Sequence, residues 1–288
     1  MLGFLLLNKP VGATSHDVVN MVRRKFGTRK AGHAGTLDPM GSGLLVVAVG
    51  PATRFLQYLP LEPKEYQAEI TFGWESTTQD SEGELINPSP VPEDLESRLR
   101  EQAPRFTGLI EQLPPMHSAV KVSGRPLYMY AREGKEVERR LRKVFVENFE
   151  VVEVMPPIAK VHVVCSGGTY MRTLAHDVGR ALGCGSYLSF LVRTRCGGMS
   201  LAEAKCVEEA SDRDLLPLSE ALKPMPMLIL SAIEADAVRH GQRLGRARTP
   251  AAAVVALREG DGPVFGVARI EGNQIQPECV LPAECAHG

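Results

Sequence analysis

The residue with the clearest capacity for chemistry is Asp38, which lies among four glycines and one proline between residues 32 and 43. Glycine lets a backbone pass close to a partner or take a positive φ, and the apolar run 44–49 is typical of a buried strand. Such a loop, held by a sheet, would present the carboxylate as a nucleophile. An Asp-Pro pair in a glycine-rich loop is also typical of a plain turn, so the segment alone leaves both interpretations open.

Five patterns are found in order along the chain: LLNKPVGATS at 6–15, GHAGTLDPMGSG at 32–43, PKEY at 63–66, SGGTYMRTL at 166–174 and LSFLVRTR at 188–195. Together, over residues 4–197, they resemble the bacterial tRNA pseudouridine synthase B family, in which these segments have the same order. Five ordered segments are more specific than any one of them. The resemblance implies an enzyme that isomerises uridine 55 in the T-loop of tRNA to pseudouridine.

That isomerisation breaks the N1–C1′ bond, turns the base and joins C5 to C1′. It changes no oxidation state and loses no group, so it demands neither a metal nor an organic cofactor, and a carboxylate nucleophile suffices. The resemblance assigns this role to Asp38, with Tyr66 stacked on the uracil and Arg172 paired with the aspartate. The target base must leave its stack to reach a loop carboxylate, and an aromatic face supports an extruded base.

Arg172 suits a carboxylate in a pocket that excludes water, because a buried unpaired carboxylate takes up a proton and a guanidinium stays charged. If this stretch is extended, Tyr170 shares its face and lines the pocket. By the resemblance, Leu191 forms an apolar wall. Without the resemblance, Arg172 could equally contact phosphate or solvent, and packing would be the favoured interpretation of Tyr66.

Three further residues are expected to contact the substrate. Lys9 either binds phosphate or braces the Asp38 loop. His33 could act as a base near neutral pH, but the resemblance places it against the RNA, and a purely structural role is equally open. Asp80 lies in the run STTQDSEG at 76–83; there Thr77 stands where the family usually carries an acid.

Positive charge is concentrated in two segments, although the net charge of the chain is −1. Residues 1–60 carry seven basic residues against two acidic ones, and residues 121–143 carry eight against three. Phosphate binding depends on such local clusters. The second cluster lies in residues 112–143, which resemble the family's mobile insertion that clamps the T-arm, although a solvated amphipathic loop and helix is the alternative. The expected RNA contacts are Lys121, Arg125, Tyr128 and Arg132.

Segments typical of strands and of helices alternate without the regular βαβ order of a doubly wound sheet, which predicts an α+β fold. The resemblance implies a mixed, mainly antiparallel sheet flanked by helices and loops. A boundary is expected at residues 223–226, which divides the chain into a catalytic domain, 1–223, and a second domain, 224–288. Short strands and glycine turns beyond it predict a small β-barrel-like module, which the family uses as a PUA-type RNA-binding domain.

The sequence also suggests a location. No apolar run is long enough to span a bilayer, and the first seven residues lack the features of a signal peptide. The six cysteines contain no Cys-x-x-Cys pair, which argues against zinc, and reduced cytoplasmic thiols are the expectation. We therefore expect a cytoplasmic monomer that binds tRNA, without a membrane, cofactor or obligatory protein partner.

Two other classes of protein are alternatives to this interpretation. An RNA-binding or tRNA-folding protein, in which the surface matters more than the chemistry, remains the main alternative. An RNA methyltransferase is disfavoured, because no glycine-rich cofactor loop follows a strand and opens a helix.

Overall fold

The computed structural model describes residues 1–118, 120–122, 124–245 and 252–282. For Arg132 it describes the backbone alone, so the RNA contact expected of that side chain lies outside the described residues. The strands up to residue 200 are β1 (Gly3–Lys9), β2 (Ala31–Ala34), β3 (Ser42–Val49), β4 (Lys64–Phe72), β5 (Glu75–Ser76), β6 (Leu85–Ile86), β7 (Gly108–Gln112), β8 (Lys121–Val122), β9 (Arg125–Pro126), β10 (Arg142–Met155), β11 (Ile158–Cys165), β12 (Ser186–Cys196) and β13 (Met199–Ser200).

Five helices accompany these strands, and four short 3₁₀ segments lie between them. The helices are α1 (Ser15–Lys25), α2 (Leu95–Gln102), α3 (Leu127–Arg132), α4 (Met171–Leu182) and α5 (Leu218–Ala221). The 3₁₀ segments are Gly50–Tyr58, Ala103–Phe106, Leu201–Glu203 and Asp212–Asp214. Among the described residues, no helix is both long and apolar enough to cross a membrane.

A nine-stranded sheet forms the centre of the fold, in the order β1-β3-β12-β4-β11-β10-β7, with β2 on β3 and β13 on β12. Its described pairings are antiparallel except for β3 and β12, which run parallel where Ser42 faces Val192 and Gly43 faces Arg193. The expectation of a mixed, mainly antiparallel sheet is therefore confirmed.

Helix α4 packs against one face of this sheet. Strand β4 alternates so that Tyr66, Ala68, Ile70 and Phe72 are buried, as the period of a half-buried strand requires. These side chains share one core cluster with the apolar residues of α2 and α4. Helix α4 ends where Gly183 takes a left-handed φ of +73°, which glycine adopts without steric penalty.

A second, five-stranded sheet follows, in the order β14-β16-β17-β18-β15. It curls into a half-barrel, which confirms the predicted β-barrel-like module. Its core continues into the N-terminal sheet, because Phe4 and Phe55 belong to the same cluster as Val267, and Arg54 Nη1 donates to the Val280 carbonyl at 3.0 Å. The elements are β14 (Met227–Leu230), α6 (Ala232–Arg239), β15 (Leu244–Gly245), β16 (Val254–Glu259), β17 (Val264–Glu271) and β18 (Gln274–Val280).

Strands β3 and β12 approach each other unusually closely at Gly43. Its φ is +102°, and a Cβ built there would lie 2.3 Å from the carbonyl oxygen of Arg193 and 2.8 Å from its nitrogen. Because both of these atoms belong to the backbone, β12 itself would have to move. Glycine at this position therefore allows the parallel pairing that joins the Asp38 loop to the rest of the sheet.

We expect Gly43→Ala to lower the free energy of unfolding by roughly 2–5 kcal/mol, which combines left-handed strain with overpacking. Gly12→Ala is the matched control, because Gly12 has a φ of +85° but no atom within 4 Å of a built Cβ. The free energy of unfolding of Gly12→Ala should fall only by the cost of the left-handed strain, about 1–2 kcal/mol. Equal losses for the two variants in urea titrations would contradict a specific role for the close approach.

Candidate active site

The loop that carries Asp38 joins β2 to β3 and is tied to the start of α1. The hydroxyl of Ser15 accepts from the Leu37 amide and donates to the Leu37 carbonyl, both at 2.9 Å. The side chains of Leu37 and Met40 are buried on either side of Asp38. With its neighbours anchored, the loop directs Asp38 outwards, and 35% of that side chain remains exposed.

Asp38 and Arg172 meet, as the resemblance implied. Arg172 Nε lies 2.8 Å from Asp38 Oδ2, and the arginine side chain is only 5% exposed. Its Nη1 is 3.4 Å from Asp80 Oδ2, and its Nη2 donates to the His117 carbonyl at 2.8 Å. One buried guanidinium therefore joins the loop aspartate, a second carboxylate and the backbone of the 112–143 insertion.

The protonation of Asp38 is set by opposing effects. Burial raises the pKa of its carboxyl, because desolvation penalises the charged form. The Arg172 guanidinium acts in the opposite direction, and the negative charge of Asp80 adds to the rise. The arginine is thus the main group that favours the ionised form of this carboxyl.

Asp80 is a buried member of the site, with 1% of its surface exposed. One of its oxygens accepts from the Thr78 hydroxyl and from the Glu82 amide, the latter at 3.0 Å. Its other oxygen faces Arg172 across from Asp38. In this geometry Asp80 acts on the site by orienting the guanidinium.

Thr77, at the position where the family usually carries an acid, directly follows β5, at the start of the loop 77–84 that joins β5 to β6. Its hydroxyl accepts from the Glu84 amide at 3.1 Å, and its own amide donates to the Glu84 carbonyl at 3.0 Å. The threonine therefore closes the hairpin.

Tyr66 and Leu191 lie beneath the loop. Tyr66 is 6% exposed and belongs to the same buried cluster as Leu37, Met40 and Leu191. Burial raises the pKa of its hydroxyl to about 12, against the opposing charge of Arg193. Tyr66 is therefore a neutral phenol at physiological pH, beside an apolar wall to which Leu191 contributes.

Tyr170 itself is extended, with φ −95° and ψ 106°, but the stretch that follows it is not. Helix α4 begins at Met171, so Arg172 is helical and Tyr170 is the residue that caps the helix. The backbone of Tyr170 is held by the Gln112 side chain, which accepts from its nitrogen at 2.9 Å and donates to its carbonyl at 3.2 Å. The premise that Tyr170 and Arg172 share one face of an extended stretch is therefore wrong.

Lys9 is fully buried. Its ammonium donates to the carbonyls of Pro10 at 2.9 Å, Ala13 at 2.6 Å and Pro39 at 3.4 Å. Burial lowers the pKa of Lys9 to about 8, and the nearby Asp38 charge opposes that fall. Because no part of the side chain reaches the surface, the structure supports the brace and contradicts the phosphate contact.

His33 is half-buried on β2. Its Nδ1 is buried and has no hydrogen-bond partner among the described residues. Burial lowers the pKa of the imidazole, and the charge of Arg193 adds to this, so the ring is neutral at physiological pH. Among the described residues, no backbone group therefore forms a hydrogen bond with Nδ1 of His33. The contact of His33 with RNA stays a prediction.

The expected RNA contacts of the insertion lie on β8, β9 and α3. Lys121 is exposed, and 38% of the surface of Tyr128 is exposed. Arg125 forms an ion pair with Glu133 and stacks 4.7 Å from the centre of the Tyr130 ring. A cavity of about 380 Å³ opens beside them, and its basic lining residues are Lys121, Arg139, Arg140 and Arg142.

The sequence analysis did not identify three residues that help to build this site. Gln112 holds the start of α4, His117 offers its carbonyl to Arg172, and Arg193 is the largest fully buried side chain of the described part of the protein. The first two act through or on backbone groups, for which the residue type gives no signal. Arg193 was visible as a charged residue inside an apolar strand.

Two family models match the chain. Residues 23–171 match the N-terminal domain of the TruB family pseudouridylate synthases, and residues 226–281 match the TruB C-terminal domain of pseudouridine synthase II. Solved structures share the fold: the chain superposes on one from a Cbf5-Nop10-Gar1 complex with a TM-score of 0.73 and 27% identity, covering 98% of this chain and 86% of that one.

Curated relatives extend over most of the chain. It is 49% identical to the tRNA pseudouridine synthase B of Symbiobacterium thermophilum over 244 residues, which cover 83% of this chain and 82% of that protein. It is 43% identical to the enzyme of that name from Thermobifida fusca, covering 97% and 98%. With the paired aspartate and arginine, these likenesses lead to one conclusion: the chain belongs to the TruB family and is an isomerase that forms pseudouridine in tRNA.

Proposed function

We propose that the protein acts on uridine 55 in the T-loop, with Asp38 as the nucleophile towards an extruded uracil. The observation that carries this proposal is the 2.8 Å contact between Asp38 and Arg172, residues that lie 134 positions apart in the sequence. The carboxylate is half-buried on a loop and flanked by the buried side chains of Leu37 and Met40. A base in an intact RNA stack could not reach it, so the target nucleotide has to flip out.

The surrounding side chains have complementary roles in this mechanism. Arg172 stabilises the ionised carboxylate that attacks the nucleotide. Tyr66 supplies a flat face for the uracil, and as a neutral phenol it does not accept a proton in the resting enzyme. Leu191 closes the slot with an apolar surface, and His33 contacts the RNA around the extruded base.

The rest of the chain would hold the RNA. The 112–143 insertion grips the T-arm through Lys121, Arg125 and Tyr128, and it communicates with the site through the His117 carbonyl that Arg172 contacts. We further propose a division into a catalytic domain, 1–223, and a PUA-like RNA-binding domain, 224–288. The protein works as a cytoplasmic monomer in this proposal.

Asp38→Asn should reduce turnover by roughly 10⁴-fold or more, because it removes the nucleophile while keeping its shape. The affinity for T-arm RNA should stay nearly unchanged. The measurement is formation of an alkali-resistant carbodiimide adduct at the target uridine of a T-arm stem-loop that was unmodified before incubation, alongside RNA binding by fluorescence anisotropy.

Asp94→Asn serves as the control, because it changes an exposed aspartate remote from the loop and should turn over like the wild-type protein. Product at a uridine other than 55 would contradict the proposed position. Undiminished turnover by Asp38→Asn would contradict the proposed nucleophile, and a wild-type protein that binds but never modifies the RNA would favour a tRNA-folding role.

Arg172→Met should move the acid limb of the kcat/KM profile to higher pH. The carboxylate is lost as the pH falls through the pKa of Asp38, which burial raises and Arg172 counteracts. Removing the guanidinium leaves only the weaker effect of the Lys9 charge against burial, so more alkaline conditions are needed for ionisation. The maximal rate should also fall on the order of 100-fold.

Arg172→Lys retains the positive charge, so its acid limb should lie closer to that of the wild-type protein. Circular dichroism of both variants establishes that they fold. An acid limb that stays at the same pH in Arg172→Met would show that Arg172 does not govern the ionisation of Asp38.

Lys121→Ala should weaken T-arm binding and reduce the slope of log K against log salt by about 0.7–0.9, the value for one lost phosphate contact. Binding would be measured between low and physiological salt. Lys160→Ala is the control, because Lys160 pairs with Glu153 at 2.9 Å on β11. An unchanged slope for Lys121→Ala would place this lysine outside the RNA interface.

A further inference from the structure

Arg193 is a charged side chain with no exposed surface, on the central strand β12. It forms no ion pair with any carboxylate of the described residues within 4.0 Å. Burying a charge without a counter-ion is unfavourable unless its hydrogen-bonding groups are satisfied. The contacts that satisfy this guanidinium therefore indicate why it is there.

Those contacts are with the two ends of the Asp38 loop. Arg193 Nη2 donates to the Gly35 carbonyl at 2.9 Å and Nη1 to the Thr36 carbonyl at 3.3 Å, just before the aspartate. Nε donates to the Leu44 carbonyl at 2.8 Å, after the loop has rejoined β3. One planar group thus fixes the distance between the entry and the exit of the loop.

The same guanidinium also acts on the tyrosine of the site. Arg193 faces Tyr66 across the β12–β4 pairing, and the charge of Arg193 acts to lower the pKa of the Tyr66 hydroxyl, against the rise caused by burial. Leu191 lies two residues before Arg193 on the same face of β12, and both are buried. Arg193 therefore lies against the Asp38 loop and Tyr66, which are two boundaries of the proposed uracil slot. The third boundary, Leu191, is on the same strand as Arg193.

The packing around the loop leaves little freedom for this arrangement. Gly35 has a φ of +71°, and a Cβ there would lie 3.6 Å from Arg193 Nη1 and 3.3 Å from Lys64 Nζ. On the other side of β12, Gly43 packs directly on the Arg193 backbone. A displacement of Arg193 would accordingly be transmitted to the Asp38 loop.

Given the proposed function, we propose that Arg193 is the positioning residue of this active site. Its guanidinium holds the Asp38 loop and Tyr66 at a fixed separation and so sets the width of the uracil slot. Arginine is required because its planar fork offers donors in several fixed directions, whereas a lysine concentrates its donors on one nitrogen. The substrate itself does not contact Arg193.

The test compares Arg193→Lys with Arg195→Lys. Arg195 is on the same strand, but it is 42% exposed and pairs with Glu65. A loop displaced by about 1 Å can lower a rate on the order of 100-fold, so Arg193→Lys should lose about that factor in single-turnover rate. Its affinity for T-arm RNA should stay within about twofold of the wild-type value, and Arg195→Lys should match wild type in both.

Gly35→Ala strains the loop at the residue whose carbonyl accepts from Arg193, because Gly35 has a φ of +71°, and it keeps the test decisive if Arg193→Lys unfolds. It should show the same loss of rate with retained RNA affinity. In the double variant, the loss should be well short of the product of the two single losses, because both changes break one contact. Thermal unfolding of each variant identifies the folded ones.

Independent, multiplicative losses would overturn the proposal, as would a wild-type rate in folded Arg193→Lys or a loss confined to RNA affinity. Failure of the proposed function would look different. In that case wild type and Arg195→Lys would both leave the T-arm uridine unmodified, whereas failure of the Arg193 proposal leaves the wild-type protein active.

Discussion

The contact on which this site depends is the one between a half-buried carboxylate and a buried guanidinium. Desolvation alone would protonate Asp38 more readily and remove its ionised form, and Arg172 counteracts this. The arginine can do so in a dry environment because it does not deprotonate. Its remaining donors reach Asp80 and the carbonyl of His117, so its orientation is fixed by groups other than Asp38.

Two further buried cations support the same loop in another way. Lys9 donates to the Pro39 carbonyl after the aspartate, and Arg193 donates to the carbonyls of Gly35 and Thr36 before it. Neither forms an ion pair with a described carboxylate within 4.0 Å. Arg172 therefore controls the charge of the carboxyl, whereas Lys9 and Arg193 control the shape of the backbone that carries it.

Local signals in the sequence were sufficient for much of the fold. The capping box of Thr14 and Asp17 marks the start of α1. Residues 66–73 alternate as a strand does, which matches the strand Lys64–Phe72. The local pattern predicts a helix from Thr173, whereas α4 begins two residues earlier, at Met171. No side chain near Tyr170 caps this helix; the cap comes from Gln112, 58 positions away, so no local pattern could indicate it.

The site was predictable only in part for a related reason. The roles proposed for Asp38, Tyr66 and Arg172 depend on their side chains, so motifs made of residue types can point to them. Arg193 acts on main-chain carbonyls that lie 149 to 158 positions away, and a carbonyl is the same in every residue type. A pattern of residue types cannot reveal such an acceptor. What remains visible is the donor, a charged residue in a strand that is otherwise buried, and burial of a cation is rare enough to require a specific set of acceptors.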